Sequence, residues 1–256
     1  MNEQYAIEAR SLNIAGLWSH NFWVLRNPKG QVMAELHGLA TDRRSNQFVP
    51  IGTNENHSLR AWHFAATDHF SEIGVRAHIV AQHAFYQEGQ RRSTVFTGGV
   101  DNVMPRWRAA AKSVDFINTF NLNYPPGGVN LIGKTKNSNS MYSTFADIMQ
   151  LPRFSFWQVF EPGLSTPVMT PDLVDAVREM SGEVWDPPVQ SPVPTEHPPA
   201  NKSPVVSPVP RGTLGNGGFG LAPTSRYPLS GLPRGTISTP YILYRANDGL
   251  FRPFEG

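Results

Sequence analysis

The sequence predicts an α+β domain in which an antiparallel sheet packs with helices, followed by a Pro/Gly-rich, largely irregular tail. Three observations predict it. An early stretch alternates apolar and polar residues around a turn, two later stretches carry apolar residues at helical spacing, and the composition changes after about residue 182. The domain is read as residues 1–182 and the tail as 183–256.

Leu17 to Arg26 reads as a strand whose Trp18, His20, Phe22 and Val24 share one face, because side chains alternate along a strand. Asn27-Pro28-Lys29-Gly30 is a turn by composition, and Gln31 to His37 returns as the second strand. Leu59–Ala65 and Arg92–Thr97 are further strands. Val75 to Tyr86 reads equally as helix or strand.

Asp101 to Phe120 is a helix, with Val103, Trp107, Ala110, Ala111, Val114 and Ile117 at three- and four-residue intervals and Asp101 or Asn102 as its N-cap. A second helix covers about Asn139 to Gln150, with Tyr142, Phe145 and Ile148 or Met149 inward and Pro152 as its stop. Pro171 to Met180 is a third, opened by proline.

Beyond these, nine of the 24 residues from Pro187 to Pro210 are proline, and Ser-Pro-Val recurs at 191, 203 and 207. Such a stretch is extended and poorly packed. In the tail, Thr239 to Arg245 alone has the pattern of a docking strand.

Bulk properties narrow the function. The 22 basic and 20 acidic residues leave a formal charge of +2, too small for a nucleic-acid surface or a polybasic membrane anchor. There is no cysteine, which excludes disulfides, thiolate metal sites and cysteine catalysis. No apolar run reaches the roughly 18 residues of a membrane helix. The first residues lack the basic and apolar regions of a secretory signal, so the expectation is a cytoplasmic protein or one exported by a signal-independent machine. His57, His63, His69, His78 and His83 cluster, but without the spacing of the helical zinc motif, so no metal and no cofactor is expected.

Two segments carry chemistry together. One is Leu17-Trp18-Ser19-His20 with Glu35-Leu36-His37-Gly38. The other is Asn130-Leu131-Ile132, followed by Asn137-Ser138-Asn139 at the start of a helix. A nucleophile at a helix start sits among backbone N–H groups that lack helical partners, where the dipole favours developing negative charge. A histidine on a neighbouring strand can act as its base. These residues also have plain readings: Asn137-Ser138 is an ordinary N-cap, and His20 between Trp18 and Phe22 is an ordinary core histidine.

The pair of segments resembles the permuted papain-like superfamily, in particular the PPPDE-type peptidases and, more distantly, the LRAT-like enzymes. In that pattern an early strand carries a histidine, the next carries Glu and then Gly, and Asn-Cys-Asn opens a later helix. Here Ser138 stands in the place of the cysteine. The resemblance implies a hydrolase of amide or ester bonds with His20 as base and Ser138 as nucleophile. Asn137 and Asn139 would shape the turn or help bind the oxyanion. Peptide, peptidoglycan or lipid would be the substrate, and a bacterial exported effector the setting. A serine hydroxyl is far less acidic than a thiol and needs an oriented base. Glu35, Asn21 and Asp42 are the candidate orienters, and the sequence does not choose among them. The competing reading is an inactive binding or adaptor module whose Pro-rich tail recruits a protein partner.

Overall fold

A computed structural model describes residues 4–14, 18–49, 52, 56–65, 79–80, 85–129, 134–186, 196–197, 243–245 and 251–253. It shows an α+β fold: a mostly antiparallel sheet packed with three helices. Strand β1 (Tyr5–Ile14) pairs along its length with β2 (Trp18–Arg26), which pairs with β3 (Val32–Asp42). Then come β4 (Phe48–Val49), β5 (His57–Ala65), β6 (Ile79–Val80), β7 (Arg91–Gly98) and β8 (Glu196–His197). The strand order is β6-β5-β3-β2-β1-β7-β8, with β4 on β3.

The two faces of the sheet differ, as strand alternation requires. Ile7, Ala9, Trp23, Leu25, Leu36 and Ala61 face the helices and join the main core. On the opposite face Leu39, Phe48, Trp62 and Phe64 form a second apolar cluster, against which Phe85 packs.

Helix α1 (Val100–Asn118) begins after Gly99, so Asp101 and Asn102 lie inside its first turn and neither is the expected N-cap. Its last residue locks it to the sheet: the Asn118 carboxamide accepts from Ala61 N at 2.8 Å and donates to Ala61 O at 3.0 Å.

Helix α2 (Ser138–Met149) is buried on nearly every side. Trp23 holds it to β2, stacking on Tyr142 at a centroid distance of 4.5 Å and donating to the Tyr142 carbonyl at 2.9 Å. Gln150, at φ 54°, ends this helix in the left-handed region, before the expected stop at Pro152. Helix α3 (Pro171–Ser181) opens on proline, buries Val174 and Val177, and closes at Gly182 with φ 66°.

The chain packs past the boundary expected at 182. The Glu183 carboxylate accepts from Arg108 and Lys112, and Arg106 donates to the Asp186 carbonyl at 2.6 Å. β1, not anticipated from the sequence, fills the middle of the sheet. Most of the ambiguous stretch 75–86 lies outside the described residues; its Ile79–Val80 is strand, parallel to β5. Chain contacts separate a unit of 1–199 with 241–256 from a second unit, 200–240, which lies outside the described residues, as does most of the expected tail. Of the expected docking strand, Leu243–Arg245 pairs antiparallel with Phe251–Pro253. Among the described residues no helix is long and apolar enough to cross a membrane.

Candidate active site

The start of α2 is fixed by a complete capping box. The Asn137 side-chain oxygen accepts from the Asn139 and Ser140 amides at 2.9 and 3.3 Å, while Ser140 Oγ accepts from Asn137 N at 3.1 Å. The Asn137 side-chain nitrogen donates to the carbonyls of Gly128 and Pro162 at 2.7 and 2.9 Å. Ser138 is the first helical residue and is 7% exposed.

Asn139 pins this turn to β2 on either side of His20. Its oxygen accepts from Asn21 N at 3.0 Å, and its nitrogen donates to the Ser19 carbonyl at 3.1 Å. It can do so because the β2–β3 ladder stops at Trp23 and Leu36. Further along, the edge of β2 is taken by Asn139 and by the Phe160 carbonyl, and that edge of β3 by β4. The first turn of α2 is wedged where the two strands part. Gly38 allows the fit, since a Cβ there would lie 2.3 Å from Met141 Cβ and 3.2 Å from the Ser138 carbonyl oxygen.

A chain of imidazoles lies on the opposite face. Glu35 Oε2 is 2.8 Å from His37 Nε2, and His37 Nδ1 is 3.0 Å from His20 Nε2. Both carboxylate oxygens of Glu35 also accept backbone amides, from Phe85 at 3.0 Å and Tyr86 at 3.3 Å. These contacts set the tautomers. The carboxylate accepts from His37 Nε2–H, so His37 Nδ1 is the bare acceptor. His20 donates from Nε2, and its Nδ1 carries the lone pair. Phe22 and Phe85 enclose both rings. Burial, then the neighbouring His37, push the His20 pKa well below the ordinary histidine value. Burial also lowers His37, against the opposing pull of Glu35. His20 is therefore neutral, with its lone pair on Nδ1.

The other sequence candidates fall as follows. Asn21 lies on the helix face of β2 and donates to Glu161 Oε1 at 2.6 Å, so its side chain does not orient the His20 ring. Glu35 does not touch His20 directly and acts through His37. Asp42 accepts from the Arg44 and Ser45 amides in a turn, away from His20. The carboxamide N–H groups of Asn137 and Asn139 are bonded to backbone carbonyls, which fits the first of the two roles expected of these residues, shaping the turn, rather than binding an oxyanion. Among the described residues no hydrogen bond joins Ser138 to His20, and the body of α2 and the His20 ring lie on opposite faces of the sheet. Of the histidine cluster, His63 accepts from Trp107 Nε1 at 3.1 Å and His57 sits 3.9 Å from Asp42. His69, His78 and His83 lie outside the described residues, as does the apolar lead-in at 130–133.

Two residues of the site were missed in the sequence. His37 was seen only as part of a strand pattern, although its two-residue offset from Glu35 puts both on one face. Tyr124, in the Pro/Gly turn before α2, has its hydroxyl beside Ser138. Comparison with protein-family models, with curated proteins and with solved structures finds no match.

Proposed function

We propose that the chain is a hydrolase of amide or ester bonds on a permuted papain-like scaffold, with Ser138 as nucleophile, His20 as base and His37 as the residue that orients the base. One observation carries this reading. The Glu35–His37–His20 chain ends on an unprotonated nitrogen, on the strand residue that Asn139 flanks with two hydrogen bonds. The reaction needs Nδ1 of His20 and Oγ of Ser138 to meet in the opening between β2 and β3. There Nδ1 takes the hydroxyl proton as Oγ bonds the substrate carbonyl carbon. His37, held by Glu35, stabilises the imidazolium, and His20 returns the proton to the departing amine or alcohol. Water then releases the acyl group by the same steps. Peptide, peptidoglycan cross-link and lipid ester all fit this chemistry, and a bacterial effector is the setting the resemblance implies.

The second reading, an inert binding module, is favoured by the absence of a Ser138–His20 hydrogen bond and by the capped amides of α2. The absence of native cysteine allows a clean test, because Ser138→Cys introduces a single thiol. Where Nδ1 of His20 takes up the thiol proton, that thiol ionises more readily than a free cysteine, whose pKa is about 8.5. Iodoacetamide at pH 6 should alkylate the variant at least 10-fold faster than free cysteine, and adding His20→Ala should abolish the advantage. A rate no faster than that of free cysteine refutes the His20–Ser138 pairing and leaves the binding module.

A further inference from the structure

The oxyanion pocket has no donor among the groups the sequence offered. The second and third amides of α2 are bonded by Asn137, and the carboxamides of Asn137 and Asn139 by backbone carbonyls. The next amide, of Met141, already bonds the Asn137 carbonyl at 3.1 Å. That leaves the amide of Ser138 itself, and the phenol of Tyr124 lies beside that residue.

Three fixed points aim that phenol. Tyr124 N donates to the His57 carbonyl at 3.0 Å at the start of β5. Its ring packs over Gly52, where a Cβ would lie 2.4 Å from the ring. Its hydroxyl comes within 3.8 Å of the Cβ position of Gly128, the residue whose carbonyl receives the Asn137 side chain. Gly128, at φ 80°, also has the Trp18 ring 3.7 Å from that position, so the phenol lies beside a partly exposed indole.

We propose that the Tyr124 hydroxyl is a catalytic donor at this site. It holds the Ser138 hydroxyl in the resting protein and, together with the Ser138 amide, binds the carbonyl oxygen that becomes negative as Ser138 attacks. This rests on the hydrolase reading above. In the step, the Oγ–carbon bond forms, the carbonyl π pair moves to oxygen and the Oγ proton goes to His20. The phenol keeps its own proton and shifts its hydrogen bond from Oγ to the new oxyanion. Burial raises the Tyr124 pKa, against the pull of Ser138, so the phenol remains a donor at neutral pH.

The test is the rate of labelling by a fluorophosphonate, which forms the same kind of anionic adduct on serine. It compares the full-length wild type, Ser138→Ala and Tyr124→Phe, with each variant's melting point checked. Tyr124→Phe keeps the ring packed on Gly52 and should slow labelling about 100-fold while the melting point stays within a few degrees. Labelling of wild type but not of Ser138→Ala, with Tyr124→Phe as fast as wild type, overturns the role of Tyr124 and leaves the hydrolase standing. An unlabelled wild type, or equal labelling of wild type and Ser138→Ala, overturns both. If Tyr124→Phe melts far below wild type, Tyr124→Met, which has no side-chain N–H or O–H to donate, replaces it as a second filler of that space. Labelling by that variant at the wild-type rate likewise overturns the role.

Discussion

His20 and His37 tie the chemistry of the site to the stability of the fold. Both pKa values are lowered in the folded chain, chiefly by burial. The unfolded chain therefore takes up protons below about pH 6.5 that the folded chain refuses. Stability contributed by these residues is present above that pH and is lost as pH falls through it, by up to about 1.4 kcal/mol per pH unit for each histidine. Urea midpoints measured from pH 7.5 to pH 5 should fall accordingly, and a His20→Asn, His37→Asn double variant should flatten the slope. An unchanged slope would mean that these rings are protonated in the native protein. Gly38 gives a second residue-level prediction. Because a Cβ there meets Met141 at 2.3 Å and the Ser138 carbonyl oxygen at 3.2 Å, Gly38→Ala must push α2 off β3. The expected cost is about 1–3 kcal/mol, read from the urea midpoint. His37 shows what was hidden at this scale. Sequence places it on the face of Glu35, but only the separation of β2 from β3 shows that it bonds His20.

At the scale of elements, legibility followed periodicity. The β2–β3 hairpin and the three helices were read correctly because their apolar residues recur at intervals of two or of three and four. β1 was missed because its apolar residues change face along the strand, Ile7 and Ala9 on one side and Leu12 and Ile14 on the other, while the face opposite Ile7 buries the charged Glu8 and Arg10. These groups are compensated inside: Glu8 accepts from Arg10 at 2.9 Å and lies 2.9 Å from Arg26, and Arg10 also sits over the Tyr86 ring. Such pairing depends on strands distant in sequence, which no local pattern reports. The Asn137-Ser138-Asn139 motif was legible as both cap and nucleophile, and the structure assigns the capping to Asn137. The two asparagines then differ in a measurable way. Asn137→Ala removes the cap and two carbonyl partners and should cost about 2 kcal/mol of stability. Asn139→Ala leaves the cap intact but releases the first turn from β2. It should cost less in the urea midpoint, and should erase more of the enhanced alkylation of a Ser138→Cys protein than Asn137→Ala does. The reverse order would show that the cap, and not the tie to β2, positions Ser138.

For the whole molecule, a single buried guanidinium holds the chain that follows the composition break at 182. Arg106 is fully buried in α1 and donates to the Met149 carbonyl at the end of α2 at 2.8 Å and to the Asp186 carbonyl at 2.6 Å. Its plane also faces the rings of Phe96 on β7 and Trp185, at 4.6 and 5.4 Å. Burial lowers its pKa to about 10 even with Asp186 opposing, so it remains charged at neutral pH. One side chain thus joins the sheet, two helices and the chain at 185–186. Arg106→Met preserves much of the volume but leaves two carbonyls without a donor, at a cost of about 2–4 kcal/mol. Arg106→Lys should recover only part of this, because an ammonium cannot reproduce the two-pronged geometry of the guanidinium. The consequence separates the two ends of the domain. If Arg106 only fastens the chain at 185–186, limited proteolysis should cut the Met variant faster near that junction, while the alkylation rate of a Ser138→Cys background stays unchanged. If alkylation falls in step with the faster cutting, the bond to Met149 is what carries α2, and the start of that helix depends on its far end.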